Sequence, residues 1–160
     1  MPHLIVVGVM GGGQASEAAC RLGQLVAREG WVLLNGGRAS GIMEATAKGA
    51  KAEGGLTVGI LPDDGPKYTS PYIDIAICTG MGSARNTINV LSSHVIIACQ
   101  GGLGTLSEVA LALKHGRPVI LLGLDPGPLT RTHAPPGRLF SARTPEEAVQ
   151  KARELLQETV

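Results

Sequence analysis

Aromatic side chains are nearly missing from this 160-residue chain, which has one Trp, two Tyr and one Phe. Surfaces that bind single-stranded nucleic acid stack bases on aromatic rings, and here the supply is too small. Charge imbalance is missing too, because 14 Lys and Arg against 13 Asp and Glu leave a formal net charge of +1. No general attraction for DNA, RNA or anionic lipid follows, so any anion must be held locally. Cys20, Cys78 and Cys99 form no C-x-x-C pair, which argues against a disulfide framework and for reduced thiols in a cytoplasm. His3, His94, His115 and His133 are scattered without the i,i+4 spacing of metal ligands, and no metal site is expected. The first apolar run, 4–9, is too short to span a membrane and lacks a basic leader, so it reads as a strand of a soluble protein.

What is present is a repeating alternation. Short apolar runs rich in β-branched residues occur at 4–9, 31–34, 56–61, 73–78, 95–98 and 119–122, each followed by glycine and then a helical pattern. That order predicts βαβ units and a parallel sheet. Hydrophobicity within the runs is continuous rather than alternating, as in strands covered on both faces. The expectation is a single Rossmann-like α/β domain over 1–160, with a parallel sheet of six to seven strands and helices on both faces. Helices are expected at 16–28, 41–53, 83–91, 105–114 and 145–157, the last opened by the capping sequence Thr144-Pro145-Glu146-Glu147. Four prolines within 124–138 predict irregular chain over much of that segment, as a surface connector or a flap near a ligand.

In a parallel sheet the connections after the strands gather at the carboxyl edge, where such sheets bind ligands. Four of these connections are glycine-rich: Gly8 to Gly13 with Gly11 and Gly12 at its centre, Gly36-Gly37-Arg38-Ala39-Ser40-Gly41, Gly80 to Asn86 including Gly82 and Ser83, and Gly101-Gly102-Leu103-Gly104-Thr105. Glycine also serves plain turn chemistry, so one such loop says little, whereas four on one edge point to backbone amides around a phosphate. None is a P-loop, since no G-x-x-x-x-G-K-[ST] occurs. An NAD site is not expected, because G-x-G-x-x-G is absent from the first loop and the second strand ends on Asn35-Gly36 rather than an acid.

Two charged residues stand against this backdrop. Arg85 is placed at the start of the third loop's helix, with Ser83 as its N-cap, where the helix dipole disfavours a cation by about 0.3–1 kcal/mol. A compensating anion is expected there, either a ligand phosphate or Glu108. Glu108 has its own alternative, because Thr105-Leu106-Ser107-Glu108 reads as a T-x-x-E capping box. Arg38 reads either as a ligand contact or as a solvated loop arginine. Cys78 and Cys99 read as small apolar residues or as rim positions of a cleft, being near strand ends.

Taken together, Gly36 to Met43, Gly82 to Asn86 and Gly101 to Glu108 resemble the superfamily of Lonely Guy phosphoribohydrolases and lysine decarboxylase-like proteins. The hydrolase fingerprint is P-G-G-x-G-T-x-x-E preceded by an Arg-Lys pair, and the resemblance implies Arg85 and Glu108 as its catalytic residues. Gln100 stands in place of the motif proline and Asn86 in place of the lysine. The stretches G-S-A-R-[DN]-x-I-N-x-L-S-S, here Gly82 to Ser93, and E-V-A-L-A-L-K, here Glu108 to Lys114, are more similar to the molybdenum cofactor carrier proteins. That resemblance implies a homo-oligomer, dimer or tetramer, binding molybdopterin by its phosphate and passing it to molybdoenzymes. Asn86, Asn89 and Ser83 would then face the pterin and its metal centre. The alternative it implies is cleavage of nucleoside 5'-monophosphates, with Glu108 acting at the ribose carbon and no evident donor for the leaving base.

Overall fold

A computed structural model describes residues 3–158. Its strands are β1 (Val6–Met10), β2 (Val32–Asn35), β3 (Thr57–Leu61), β4 (Ile75–Cys78), β5 (Val95–Ala98), β6 (Val119–Leu122) and β7 (Leu139–Ala142). All pair in parallel, in the order β4-β3-β2-β1-β5-β6-β7. The helices are α1 (Glu17–Arg28), α2 (Gly41–Ala52), α3 (Asn86–Leu91), α4 (Leu103–Lys114), α5 (Gly127–His133) and α6 (Pro145–Glu158), and a 3-10 turn (Gly82–Arg85) precedes α3. The expected α/β architecture is therefore observed, with the seventh strand at the edge beyond β6.

The period of two along each strand builds two cores. Val7, Val9, Val95 and Ile97 point to the face covered by Ala19, Leu22 and Val26 of α1, Ala47 of α2 and Ala148, Val149 and Ala152 of α6. Their neighbours Met10, Ile96 and Ala98 point to the other face, under Val90 of α3 and Val109, Ala112 and Leu113 of α4. Each fully buried aliphatic side chain contributes roughly 1.5–3 kcal/mol, and continuous apolar strands are what a two-sided core demands. The chain order reverses between β1 and β5, and the crevice at that reversal is where an open α/β sheet holds a ligand.

Three expectations about local structure are corrected. The 124–138 segment contains α5, because Pro128 falls in the first turn, where no N–H is needed, and the Asp125 carboxylate accepts the Gly127 N–H at 3.0 Å. Ser83 does not cap a helix; it lies inside the 3-10 turn, and α3 starts from Arg85 without a side-chain cap. Thr105 to Glu108 is not a capping box, since α4 starts earlier, with Gly102 at its N-cap. The capping of α6 holds in modified form: Thr144 Oγ1 accepts the Glu147 N–H at 3.1 Å, and the Glu147 carboxylate reaches back to the Arg143 N–H at 2.7 Å.

Candidate functional site

The carboxyl edge carries a cleft of about 300 Å³ beside the point where strand order reverses. Val9 and Met10 from β1 border it, Gly11, Gly12 and Gly36 form one wall, and Met43 and Pro62 close that side. The opposite wall is Gly82, Ser83, Arg85 and Asn86 with Gly104, Thr105 and Glu108 of α4. Ten of the residues singled out in the sequence thus share one cavity. The apolar liners Met10, Met43 and Pro62 carried no chemical signal by which they would be found.

Arg85 dominates the cleft. Its side chain is 14% exposed, and Nη1 donates to Asn86 Oδ1 at 2.9 Å while lying 3.7 Å from Glu108 Oε1. Its Nε–H is buried with no partner among the described residues. Gly36 leaves the room, since a methyl group there would come within 3.0 Å of Arg85 Nη2. Burial pulls the guanidinium pKa down and nearby Arg38 adds to that, against the pull of Glu108 and Asp63. A buried cation with an unused donor and an adverse environment is a place where an added anion gains energy.

Glu108 lies deeper, with its side chain 7% exposed. Burial pushes its carboxyl pKa up, opposed by a hydrogen bond from Asn89 and by the Arg85 charge. Asn89 Nδ2 donates to Glu108 Oε1 at 2.8 Å, and Asn89 is fully buried, so it holds Glu108 rather than facing the cleft. Asn86 is 6% exposed and ties the two walls of charge together: besides accepting from Arg85, its Nδ2 donates to Ser107 Oγ at 2.9 Å. The first-turn N–H groups of α4 have no intrahelical acceptors and lie at the positive end of the helix dipole. With Arg85 they supply what a phosphate group needs.

The other glycines and Arg38 lie outside the cleft lining. The Gly37 N–H donates to Asn35 Oδ1 at 2.8 Å, fixing the turn after β2. Gly41 starts α2 at φ +55°, packed so tightly on the Gly13 carbonyl that a side chain would collide with it. Gly101 is equally constrained, because a methyl group there would overlap Thr105 Oγ1, and Gly102 caps α4. Arg38 does not line the cleft; its side chain is partly exposed, with Nη2 bonding Asp63 Oδ1 at 3.1 Å and the guanidinium 5.3 Å from the Tyr68 ring centre.

Further expectations change. In the first glycine loop the Gly12 and Gly13 N–H groups are not free for a phosphate, since they donate to the Gln100 carbonyl at 3.1 and 2.9 Å. Proline at position 100 would keep that carbonyl, and the Gln100 side chain borders a different cavity, so this departure from the hydrolase motif does not touch the cleft. Neither Cys78 nor Cys99 lines the cleft, and no residue of 124–138 does. Cys99 is 5% exposed, its thiol pushed up to about 12 by burial.

Comparison with known proteins bears out the resemblance. The molybdenum cofactor binding protein from the phototrophic bacterium Rippkaea orientalis superposes with a TM-score of 0.88 at 48% identity, covering 96% of this chain and 98% of that one. The molybdenum cofactor carrier protein of Chlamydomonas reinhardtii gives a TM-score of 0.85 at 41% identity, covering 97% and 99%. The cytokinin riboside 5'-monophosphate phosphoribohydrolase of Mycobacterium tuberculosis is 32% identical over 114 residues, which is 66% of this chain and 61% of that protein. The sequence profile of the SLOG cluster4 family matches residues 4–149, and the chain belongs to that family.

Proposed function

We propose that this protein binds the molybdenum cofactor by its phosphate and carries it, as cargo, to molybdoenzymes. The observation that carries the reading is Arg85: a buried guanidinium with an unpartnered Nε–H, opposite Gly36 and beside Gly104 and Thr105 in the first turn of α4. The phosphate docks on Arg85 and the backbone at Gly104 and Thr105, while Ser83 and Asn86 face the pterin. Binding alone is asked of the site, and no cleavage step. The likeness to carrier and cofactor-binding proteins over nearly the whole of both chains supports this choice of cargo.

The carrier works in the cytoplasm as a homo-oligomer. Ile75 and Ile77 on β4, Leu103 on α4 and Leu129 on α5 are 47%, 44%, 84% and 73% exposed, apolar surface that a second copy would cover. Among the described residues no helix is long and apolar enough to cross a membrane.

Anaerobic purification followed by mass spectrometry of the bound small molecule tests the reading, together with transfer to a cofactor-free molybdoenzyme. Cofactor should copurify with the wild type, and Arg85→Ala should weaken binding about 10- to 100-fold, the worth of a charge-assisted hydrogen bond of about 1.5–3 kcal/mol. Neither copurification nor transfer would end it.

A phosphoribohydrolase is the second reading, favoured by Arg85 and Glu108 meeting in one cleft and by a carboxyl whose raised pKa suits a general acid. Against it, position 86 is an asparagine engaged on both sides rather than the lysine of the hydrolases. Incubation with AMP decides: free adenine above that from a Glu108→Ala control would establish hydrolysis.

A further inference from the structure

Asn89 presents an unsolved problem of hydrogen-bond supply. It is fully buried, and its Nδ2 satisfies Glu108 Oε1 at 2.8 Å, yet its Oδ1 has no donor among the described residues. A buried amide oxygen left unpaired costs about 1–3 kcal/mol. An ionised Glu108 only accepts, so it cannot supply the missing donor. A protonated Glu108 can: the acid and the amide then pair through two bonds, Nδ2–H to one carboxyl oxygen and the carboxyl O–H to Oδ1.

We infer that Glu108 takes up a proton from solvent when a doubly charged phosphate-type group docks on Arg85, and that Asn89 is the positioning residue holding Glu108 in both protonation states. The inference rests on the anion-binding reading of the cleft. In the free protein Arg85 lies 3.7 Å from the carboxylate and compensates its charge. An arriving dianion takes over that positive charge and adds negative charge nearby, so the buried carboxylate loses its counter-ion. The proton neutralises it, and the orphaned Asn89 Oδ1 receives it. Other charges near the pair are Arg38 and Asp63 from the β2–α2 and β3–β4 connections, and these bond each other at 3.1 Å. Met10 of β1 and Asn89 of α3 bring none; Asp63 Oδ2 is also buried without a partner among the described residues, so the Glu108→Gln variant is what assigns the proton.

Sulfate is the probe, because it stays a dianion through the neutral range and contributes no protons of its own. Calorimetric titration with sulfate in two buffers of different ionisation heat, between pH 5 and 8, should show net uptake of up to one proton per bound sulfate, fading towards alkaline pH. Glu108→Gln should bind sulfate with no proton uptake. Difference infrared spectra should show a protonated-carboxyl band appearing with sulfate in the wild type, absent in Glu108→Gln and shifted in Asn89→Leu. Sulfate binding without uptake across that range, or uptake persisting in Glu108→Gln, overturns the inference. An unshifted band in Asn89→Leu overturns the role of Asn89. No sulfate binding at all overturns the anion-binding reading beneath it.

Discussion

Gly23 on α1 and Thr46 on α2 meet backbone to backbone, so closely that a methyl group on Gly23 would strike the Thr46 carbonyl. Gly49 stands in the same relation to the Cys20 carbonyl. The two helices anchor the glycine wall of the cleft, since α1 follows Gly11 to Gly13 and α2 opens at Gly41. Replacing a mid-helix glycine by alanine ordinarily gains about 0.5–1 kcal/mol. Here overpacking reverses the sign, and Gly49→Ala should cost about 1–3 kcal/mol. The urea midpoint measures it; an unchanged or higher midpoint would show that the helices part without cost.

Acid sensitivity should have an identifiable component at Asp74. Burial alone would raise its carboxyl, yet Lys51 Nζ at 2.9 Å and the Thr57 N–H at 3.0 Å prevail and hold it below the ordinary range. A lowered folded-state pKa means stabilisation present above the unfolded value of about 3.9 and lost as pH falls through the folded one. Asp74→Asn should therefore reduce stability at pH 7 by up to about 1 kcal/mol, the scale of a partly exposed pair, and have little effect near pH 2. Equal losses at both pH values would assign the effect to shape rather than charge.

Restoring the hydrolase pair by Asn86→Lys should not restore hydrolysis. The asparagine is 6% exposed and spends its side chain on Arg85 and Ser107. A lysine would bury a second cation against Arg85 and lose both bonds, at a cost of about 1–3 kcal/mol. Thermal melting should fall while release of adenine from AMP stays at background. Release above background would move the protein from carrier to latent enzyme.

Thiol labelling should separate the cysteines. Cys99 is buried and its thiol sits at about 12, so at pH 8 its thiolate fraction is on the order of one in ten thousand. Cys78 lies on the exposed strand β4. Peptide mapping of native protein should find Cys78 modified and Cys99 intact until the fold is lost. Labelling of both at one rate would mean that β5 opens readily.

The strands were legible because a two-sided core leaves continuous apolar runs: 95–98 and 119–122 match β5 and β6 to the residue, and the others differ at their ends by one or two positions. The edge strand β7, Leu139-Phe140-Ser141-Ala142, has too little such character to stand out, and α5 was masked by prolines that a first helical turn tolerates. At the site, Arg85 and Glu108 announce themselves by charge in a glycine setting. The grip of Asn89 on Glu108 depends on α3 packing against α4, residues far apart in the chain, and no local spacing reveals it. The start of α4 was misplaced because a T-x-x-E pattern imitates a cap, whereas Gly102 already plays that part.

Arg85, Glu108 and the two amides that hold them, Asn86 and Asn89, all come from one uninterrupted stretch, the 3-10 turn through the first half of α4. The facing wall is backbone glycine from the other end of the chain. That stretch also carries β5, the strand between β1 and β6, so the charged half of the cleft is built directly onto the middle of the sheet. Any change to the groups that hold Arg85 and Glu108 is therefore felt by the core beneath them, which ties the chemistry of the cleft to the stability of the fold.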